Sequence, residues 1–375
     1  MLNIEKVPSY VSIRNWSLKL GLAELEDKKA FEEETYWNLI IDESAVIGRE
    51  KILLILGTPL SKLKTDSSLS FKDVVPLFME TKTSWTKETV AQALEKVENS
   101  LKGKIEYVVS DRGSTLTGAL KLRSLEHVPD ITHHLSNSIE YIYKKDPEFI
   151  ALKADIAQIR VKNLMGKDCF LAAPNMRTKS RFLNLYAMAD WLKKVLNNFA
   201  FLSESHRKKL QPILNKKELC KALILQCTWI RKLSKTFKNK GLGKGAVDEA
   251  KRIMTLPPNV YLSSRYQILH DRFIRYLNDL LVRFPTTERL IICSDIIESF
   301  FGKFKYRKSN TSKSISTDML VMNLFGKKLD FGAVKKGLQK IKLRRVDKWK
   351  KENTVPSISQ LTKYFWNNVP QQTLN

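Results

Sequence analysis

The 375-residue sequence has few cysteines and no long apolar segment. Its four cysteines form no Cys-x-x-Cys pair, which argues against a zinc-ligand or disulfide framework and predicts ordinary reduced thiols. The longest apolar run, ILLILG after Lys51, is far too short to cross a bilayer, and the N-terminus has no apolar signal segment. Internal repeats and low-complexity tracts are also absent. We therefore expect a soluble cytoplasmic protein with no membrane partner.

Acidic residues are scarce relative to basic ones. The chain has 39 Asp and Glu against 65 Lys and Arg, which gives a formal net charge of +26. Such an excess favours a polyanionic partner, because basic side chains that neutralise phosphates release condensed counterions. The hydrophobic fraction of 43% is large enough for a buried core. Composition thus predicts a folded protein that binds nucleic acid.

The N-terminal segment, residues 1–30, contains one predicted helix. Apolar residues in PSYVSIRNWSLKLGL (8–22) follow helical spacing, Ser9 or Ser12 can cap the helix, and Gly21 is expected to end it. The helix is similar to the last helix of a helix-turn-helix, so on this interpretation the sequence begins partway through such a domain. The alternative is a lead-in helix that packs on the core.

Residues 31–150 are rich in predicted strands. The strands are expected at 36–42, 51–58, 73–80, 104–113 and 127–135, with an amphipathic helix at 84–101 before the fourth. The first and fourth strands each end in an acid, Asp42 and Asp111. A parallel crossover through one helix is the usual connection between such strands. If these strands are neighbours, the two carboxylates emerge side by side.

Helical patterns dominate the rest of the chain. Residues 151–285 read as an all-helical insertion, and residues 286–310 contain a helix with Glu298 in its first turns. Residues 311–375 form a basic C-terminal region, in which 331–351 has nine Lys or Arg and one Asp. The predicted fold class is therefore α/β, with a large helical insertion and a basic helical tail.

Three sequence blocks together resemble a known family. IIDESAVIGREKILLILG, then VVSDRGSTLTGALK with HVPDITHH, and finally CSDIIESFFGKFKYR are similar, in this order, to the catalytic blocks of bacterial insertion-sequence DDE transposases. The resemblance spans about residues 36–310. It implies a ribonuclease-H-like mixed-sheet core, metal-dependent strand cleavage at element ends, and transfer of the 3′-hydroxyl into target DNA. It also implies a nucleoid-associated homo-oligomer that synapses two DNA ends.

The resemblance assigns three carboxylates to catalysis and to metal binding. Asp42 would bridge two Mg²⁺ ions, for which Mn²⁺ would substitute, and Asp111 and Glu298 would each complete one ion. Two such ions, about 3.5–4 Å apart, activate the attacking oxygen and stabilise the leaving oxygen of a phosphodiester. Because Mg²⁺ prefers hard oxygen ligands and keeps several waters, three carboxylates suffice. Asp295 and Glu288 are rivals for the role of Glu298.

Other residues are secondary candidates. Asp130 is an alternative second ligand in place of Asp111, and His133 and His134 are candidates to position a phosphate or a water, although a histidine beside an acid more often has a hydrogen-bonded structural role. Trp191 and Trp229 belong to the core or stack on an unpaired base. The predicted DNA contacts are Lys303, Lys305, Arg307, Lys308, Arg344 and Arg345, together with Lys335, Lys336, Lys348, Lys350 and Lys351.

Two other functional classes fit the same residues. One is a non-catalytic or decayed transposase-derived protein that only binds DNA. The other is a stand-alone ribonuclease-H-like nuclease that cleaves without joining strands.

Overall fold

The computed structural model describes residues 7–27, 35–47, 50–63, 67–175, 183–255, 264–285, 289–308, 317–356 and 358–368. Its strands are β1 (Tyr36–Ile47), β2 (Glu50–Pro59), β3 (Val75–Lys82), β4 (Lys104–Ser110) and β5 (His127–Pro129). Its helices are α1 (Tyr10–Glu26), α2 (Lys87–Glu98), α3 (Ser114–Leu122), α4 (Ile131–Tyr143), α5 (Pro147–Asn163), α6 (Leu183–Asn198), α7 (Glu204–Leu214), α8 (Lys217–Lys240), α9 (Lys244–Ile253), α10 (Ser264–Arg283), α11 (Asp295–Lys308), α12 (Phe331–Lys340), α13 (Leu343–Asn353) and α14 (Ile358–Asn368). Within these described ranges, no helix is both long and apolar enough to cross a membrane.

The chain divides into two compact units. The first, called the sheet unit, contains residues 1–130 and 292–375, and the second, called the helical unit, contains residues 131–291. The sequence-based division put the start of the helical insertion at residue 151 and its end at residue 285. In the structure α4 belongs to the helical unit, and Glu298 returns to the sheet unit on α11.

The sheet unit is built on a mixed five-stranded sheet in the order β3-β2-β1-β4-β5. β1, β2 and β3 pair antiparallel, whereas β4 and β5 run parallel to β1. One sheet face is covered by α2 and α3, against which Leu39, Leu53 and Val108 pack. The α/β class and the adjacency of the first and fourth strands are thus confirmed.

The fifth predicted strand is largely wrong. Only His127–Pro129 is extended, and α4 begins at Ile131, so His133 and His134 are helical. The strand pairs with β4 over three residues, and Asp130 then donates its backbone N–H to the Ser110 carbonyl at 2.8 Å. The alternation that predicted a longer strand is therefore interrupted at Asp130, where the chain leaves the sheet.

The N-terminal helix α1 is part of the sheet unit. Ser9 caps it, as predicted, by accepting the N–H of Ser12 at 3.1 Å. The helix does not end at Gly21 but continues to Glu26, with Leu18, Leu20 and Leu22 buried. It packs against residues 317–324 and α12, which agrees with the lead-in-helix alternative.

Position 21 requires glycine because a neighbouring backbone approaches it closely. A Cβ at this position would lie 2.7 Å from the carbonyl carbon of Leu320, and closer still to its oxygen. The Gly21 carbonyl also accepts a hydrogen bond from Asn323 Nδ2 at 3.0 Å. The glycine therefore permits close helix packing rather than helix termination.

The helical unit has its own core, centred on α8. Cys220 and Cys227 are buried on one face of this helix, as predicted from their spacing. Trp229 is buried against Tyr266, which confirms its core role, whereas Trp191 is half-buried. These features make the unit a self-contained helical bundle rather than a set of surface helices.

Candidate functional site

The sheet brings acidic residues of three parallel strands close to one another, although the first strand does not end at Asp42 as predicted but continues to Ile47, so that Asp42 lies within β1. Ile40 of β1 is the register partner of Val109 of β4, and two residues further along each chain stand Asp42 and Asp111. Side chains two residues apart on a strand lie on the same face. Asp42 therefore belongs to the face opposite α2 and α3, and Asp111 is the first residue after β4. Asp42 and Asp111 are each half-buried.

β5 adds a third acid to this edge. Ser110 of β4 is the partner of Pro129, so Asp130 follows β5 as Asp111 follows β4. Asp130 is only 1% exposed, in contrast to the other two acids. The Oδ1 of Asp111 accepts the backbone N–H of Gly113 at 2.8 Å, which orients its carboxylate in a tight turn. The edge thus has one fully buried and two accessible carboxylates.

Helix α11 carries the fourth acid. It packs against β1, and its apolar side includes Ile297, Phe300 and Phe304. Glu298 is on the exposed side. A Cβ added at Gly302, one turn later, would meet no atom within 4 Å. Glu298 is therefore followed by open space on its own helix face.

The start of α11 is held by aromatic residues. Phe300 makes an edge contact with Phe71, with ring centroids 4.8 Å apart, and Phe325 packs against both rings. Lys303 Nζ lies 4.8 Å from the centroids of Phe71 and of Phe325. This cluster fixes the first turns of the helix to the sheet unit, because edge-on aromatic pairs and cation–π contacts have a preferred geometry.

A compact group of potential metal ligands lies where β5 meets α11. Among the described residues, Asp130, Cys293 and Asp295 form the group of three whose ligand atoms lie within 4.8 Å of one another. This group could hold a metal ion. Burial, with the charges of Asp130 and Asp295, raises the pKa of the Cys293 thiol well above its ordinary value. The thiol is thus neutral, and the group offers two hard carboxylates and one soft, protonated donor.

The predicted trio is arranged more loosely than this group. Asp42, Asp111 and Glu298 do not all have carboxylate oxygens within 4.8 Å of one another, although all three are among the described residues. A shared ion would require such closeness, but two ions bridged by Asp42 would not, because Asp111 and Glu298 would each serve a different ion. The assignment of these three residues stays a prediction.

The two histidines belong to the helical unit. The His134 ring is buried, stacks on Tyr276 with ring centroids 4.3 Å apart, and approaches the Arg272 carbonyl oxygen at 3.3 Å through Nε2. His133 is exposed on the same helix. The contacts of His134 are those of the hydrogen-bonded structural alternative.

The basic candidates differ in their exposure and in whether they pair with an acidic residue. Lys305 and Arg344 are exposed, whereas Arg345 is half-buried and its guanidinium lies 2.7 Å from the carboxylate of Glu26. The side chains of Arg307 and Lys308 lie outside the described residues, and so does Glu288. The tail lysines 335, 336, 348 and 351 are exposed, and Lys350 is half-buried. Lys305, Arg344 and the four exposed tail lysines are therefore accessible to solvent.

Sequence reasoning missed the role of Ser294. Its backbone N–H and its hydroxyl both donate to Asp130 Oδ2, at 2.6 and 2.9 Å. The two residues are 164 positions apart, and neither lies in a spacing pattern that signals contact. The only available signal was that a Ser directly precedes the predicted helix, where it is a usual capping residue.

Comparison with known proteins gives no relative. No protein-family model matches the chain, and no curated protein is significantly similar to it.

Proposed function

We propose that this chain is a DDE-type DNA transposase with a ribonuclease-H-like core, which cleaves strands at element ends and transfers the 3′-hydroxyl to target DNA. The proposal starts from the resemblance of the three acidic sequence blocks. The observation that carries it is the parallel pairing of β1 with β4, which aligns Asp42 with Asp111 at one sheet edge while α11, with Glu298, packs on β1. Residues from three distant parts of the sequence thus belong to one unit.

The chemistry of these side chains fits Mg²⁺. Asp42 and Asp111 are half-buried and Glu298 is exposed, so all three carboxylates are accessible, and they supply the oxygen donors that this hard ion prefers. Asp42 would bridge two ions, and Asp111 and Glu298 would each complete one. When bound, the metal lowers the pKa of an attacking water or hydroxyl and stabilises the leaving oxygen. These three carboxylates would hold the ions, and the open helix face beyond Glu298 leaves space for a DNA strand.

The charge of the chain supplies the DNA affinity. Lys305 and Arg344 are exposed, and the net charge of +26 favours association with phosphates at low salt. Cleavage of two element ends in one event requires a synaptic complex, so we also propose that the active form is a homo-oligomer.

The experiment compares the parent with two single variants. Asp42→Asn should abolish Mg²⁺- or Mn²⁺-dependent nicking and joining of duplexes taken from the DNA that flanks the gene, while leaving DNA binding intact. Asp347→Asn, an exposed acid in α13, is the matched control and should cleave like the parent. Scrambled duplexes test whether the end sequence is recognised.

Three outcomes would overturn the proposal. Equal cleavage by Asp42→Asn and the parent removes Asp42 from the site. Binding of all duplexes without cleavage indicates a non-catalytic DNA-binding protein. Cleavage of RNA–DNA hybrids without strand joining indicates a stand-alone nuclease.

A further inference from the structure

Asp130 connects the end of the sheet to the start of α11. Its backbone N–H donates to the Ser110 carbonyl at 2.8 Å, which ties it to the last residue of β4. Its Oδ2 accepts two hydrogen bonds from Ser294, from the backbone N–H at 2.6 Å and from the hydroxyl at 2.9 Å. Both residues are buried, at 1% and 5% exposure. This double hydrogen bond is called the Asp130–Ser294 clamp.

The clamp acts on the first turn of the helix. Ser294 directly precedes α11, and its carbonyl accepts the N–H of Ile297 at 2.9 Å. A carboxylate beside the unsatisfied N–H groups of a helix start is stabilised by the helix dipole, and hydrogen bonds to a charged acceptor are stronger than neutral ones. Asp130 therefore fixes the position at which α11 leaves the sheet.

Glu298 depends on that position. It follows Ser294 by four residues, about 6 Å along the helix axis. Its side chain is exposed, so its location follows from the position of α11. Phe300 anchors the opposite side of the helix against Phe71. The clamp and the packing of the apolar side of α11 thus position the helix that carries Glu298.

We propose that Asp130 is a positioning residue, which acts through Ser294 to set Glu298 at the sheet edge with Asp42 and Asp111. This inference rests on the proposed function. It replaces the alternative in which Asp130 is itself the second metal ligand.

The first experiment measures how well the clamp protects the start of α11 and requires no assay of DNA cleavage. Amide hydrogen exchange across residues 290–300 is compared in the parent, Asp130→Ala, Asp130→Asn and Ser294→Ala. Asp130→Ala should speed exchange at the start of α11 by about 10- to 100-fold, because this is the factor by which losing a hydrogen bond to a charged group changes the equilibrium for local opening. Asp130→Asn keeps an acceptor oxygen and should retain most of the protection. Ser299→Ala is the control, because the Ser299 hydroxyl bonds only within α11, to the Asp295 carbonyl at 3.0 Å.

The second experiment measures Mg²⁺-dependent cleavage as a function of Mg²⁺ concentration. Asp130→Ala should lower the maximal rate, and Ser294→Ala should lower it less, because it removes only the hydroxyl bond and keeps the backbone N–H bond. The double variant should be no worse than Asp130→Ala, which already removes both bonds. Asp130→Asn should recover most of the rate, with an unchanged Mg²⁺ requirement.

The overturning results are distinct. If Asp130→Asn is as inactive as Asp130→Ala and needs more Mg²⁺, Asp130 is a ligand. If exchange at the helix start does not change in Asp130→Ala, the clamp does not hold α11. If the parent itself cleaves no DNA, the proposed function fails together with the catalytic role of the clamp, while the exchange result still decides its structural role.

Discussion

Replacing Gly21 with alanine should weaken the packing of α1 on residues 317–324. The added Cβ would lie 2.7 Å from the carbonyl carbon of Leu320, a backbone atom that cannot rotate away. Forcing extra atoms into a packed interior costs about 1–3 kcal/mol, and more when backbone must move. Alanine recovers about 1 kcal/mol through its higher helix propensity. We therefore expect a net loss of up to roughly 2 kcal/mol in the free energy of unfolding.

Thermal unfolding followed by circular dichroism measures this loss. For a domain of this size, about 1 kcal/mol shifts Tm by roughly 2–4 °C, so Gly21→Ala should lower it by up to roughly 4–8 °C. Gly302→Ala is the control in the same unit, because a Cβ there meets nothing within 4 Å. It should raise the stability by up to about 1 kcal/mol. A Gly21→Ala variant at least as stable as the parent would refute the close approach of α1 to Leu320.

Three further predictions concern pH, the open helix face and salt. Burial raises the pKa of Cys220 and of Cys227 to about 12, so the folded chain keeps protons that the unfolded chain releases above the ordinary thiol pKa of 9.0. The resulting contribution to the free energy of unfolding is complete below pH 9.0 and is lost as the pH rises towards 12, by up to about 1.4 kcal/mol per pH unit for each thiol. Denaturant titrations of the double variant Cys220→Ala/Cys227→Ala should lack this dependence. Gly302→Ala should slow DNA cleavage although it stabilises the fold, because its methyl group enters the space beside Glu298; an unchanged rate would mean that DNA does not pass there. Arg344→Ala should reduce the slope of log Kd against log salt by about 1, whereas Arg345→Ala, already paired with Glu26, should change it less, and equal slopes would contradict this distinction.

Local patterns were sufficient for most of the sheet. Alternating and continuous apolar runs located four strands to within a few residues, and the crossover argument put β1 beside β4. The proximity of Asp42 and Asp111 follows from these two facts, because each lies two residues beyond the partners Ile40 and Val109, although β1 itself continues to Ile47. The alternation of side chains along a strand and the usual handedness of a crossover between parallel strands determine this part of the fold.

Features that depend on distant partners were not predictable. Gly21 looked like a helix terminator, since glycine commonly has that role, but its reason is the Leu320 backbone about 300 positions away. Asp130 looked like the continuation of a strand, although its carboxylate is taken up by Ser294. A single sequence carries no sign of such contacts, because each residue type has an ordinary local role that explains it equally well.

Anomalous diffraction from crystals of the chain grown with Mn²⁺ tests the central claim most directly. We predict two anomalous peaks about 3.5–4 Å apart beside Asp42, one also bound by Asp111 and the other by Glu298. A single peak among Asp130, Cys293 and Asp295, with none beside Asp42, would contradict the proposed two-metal site.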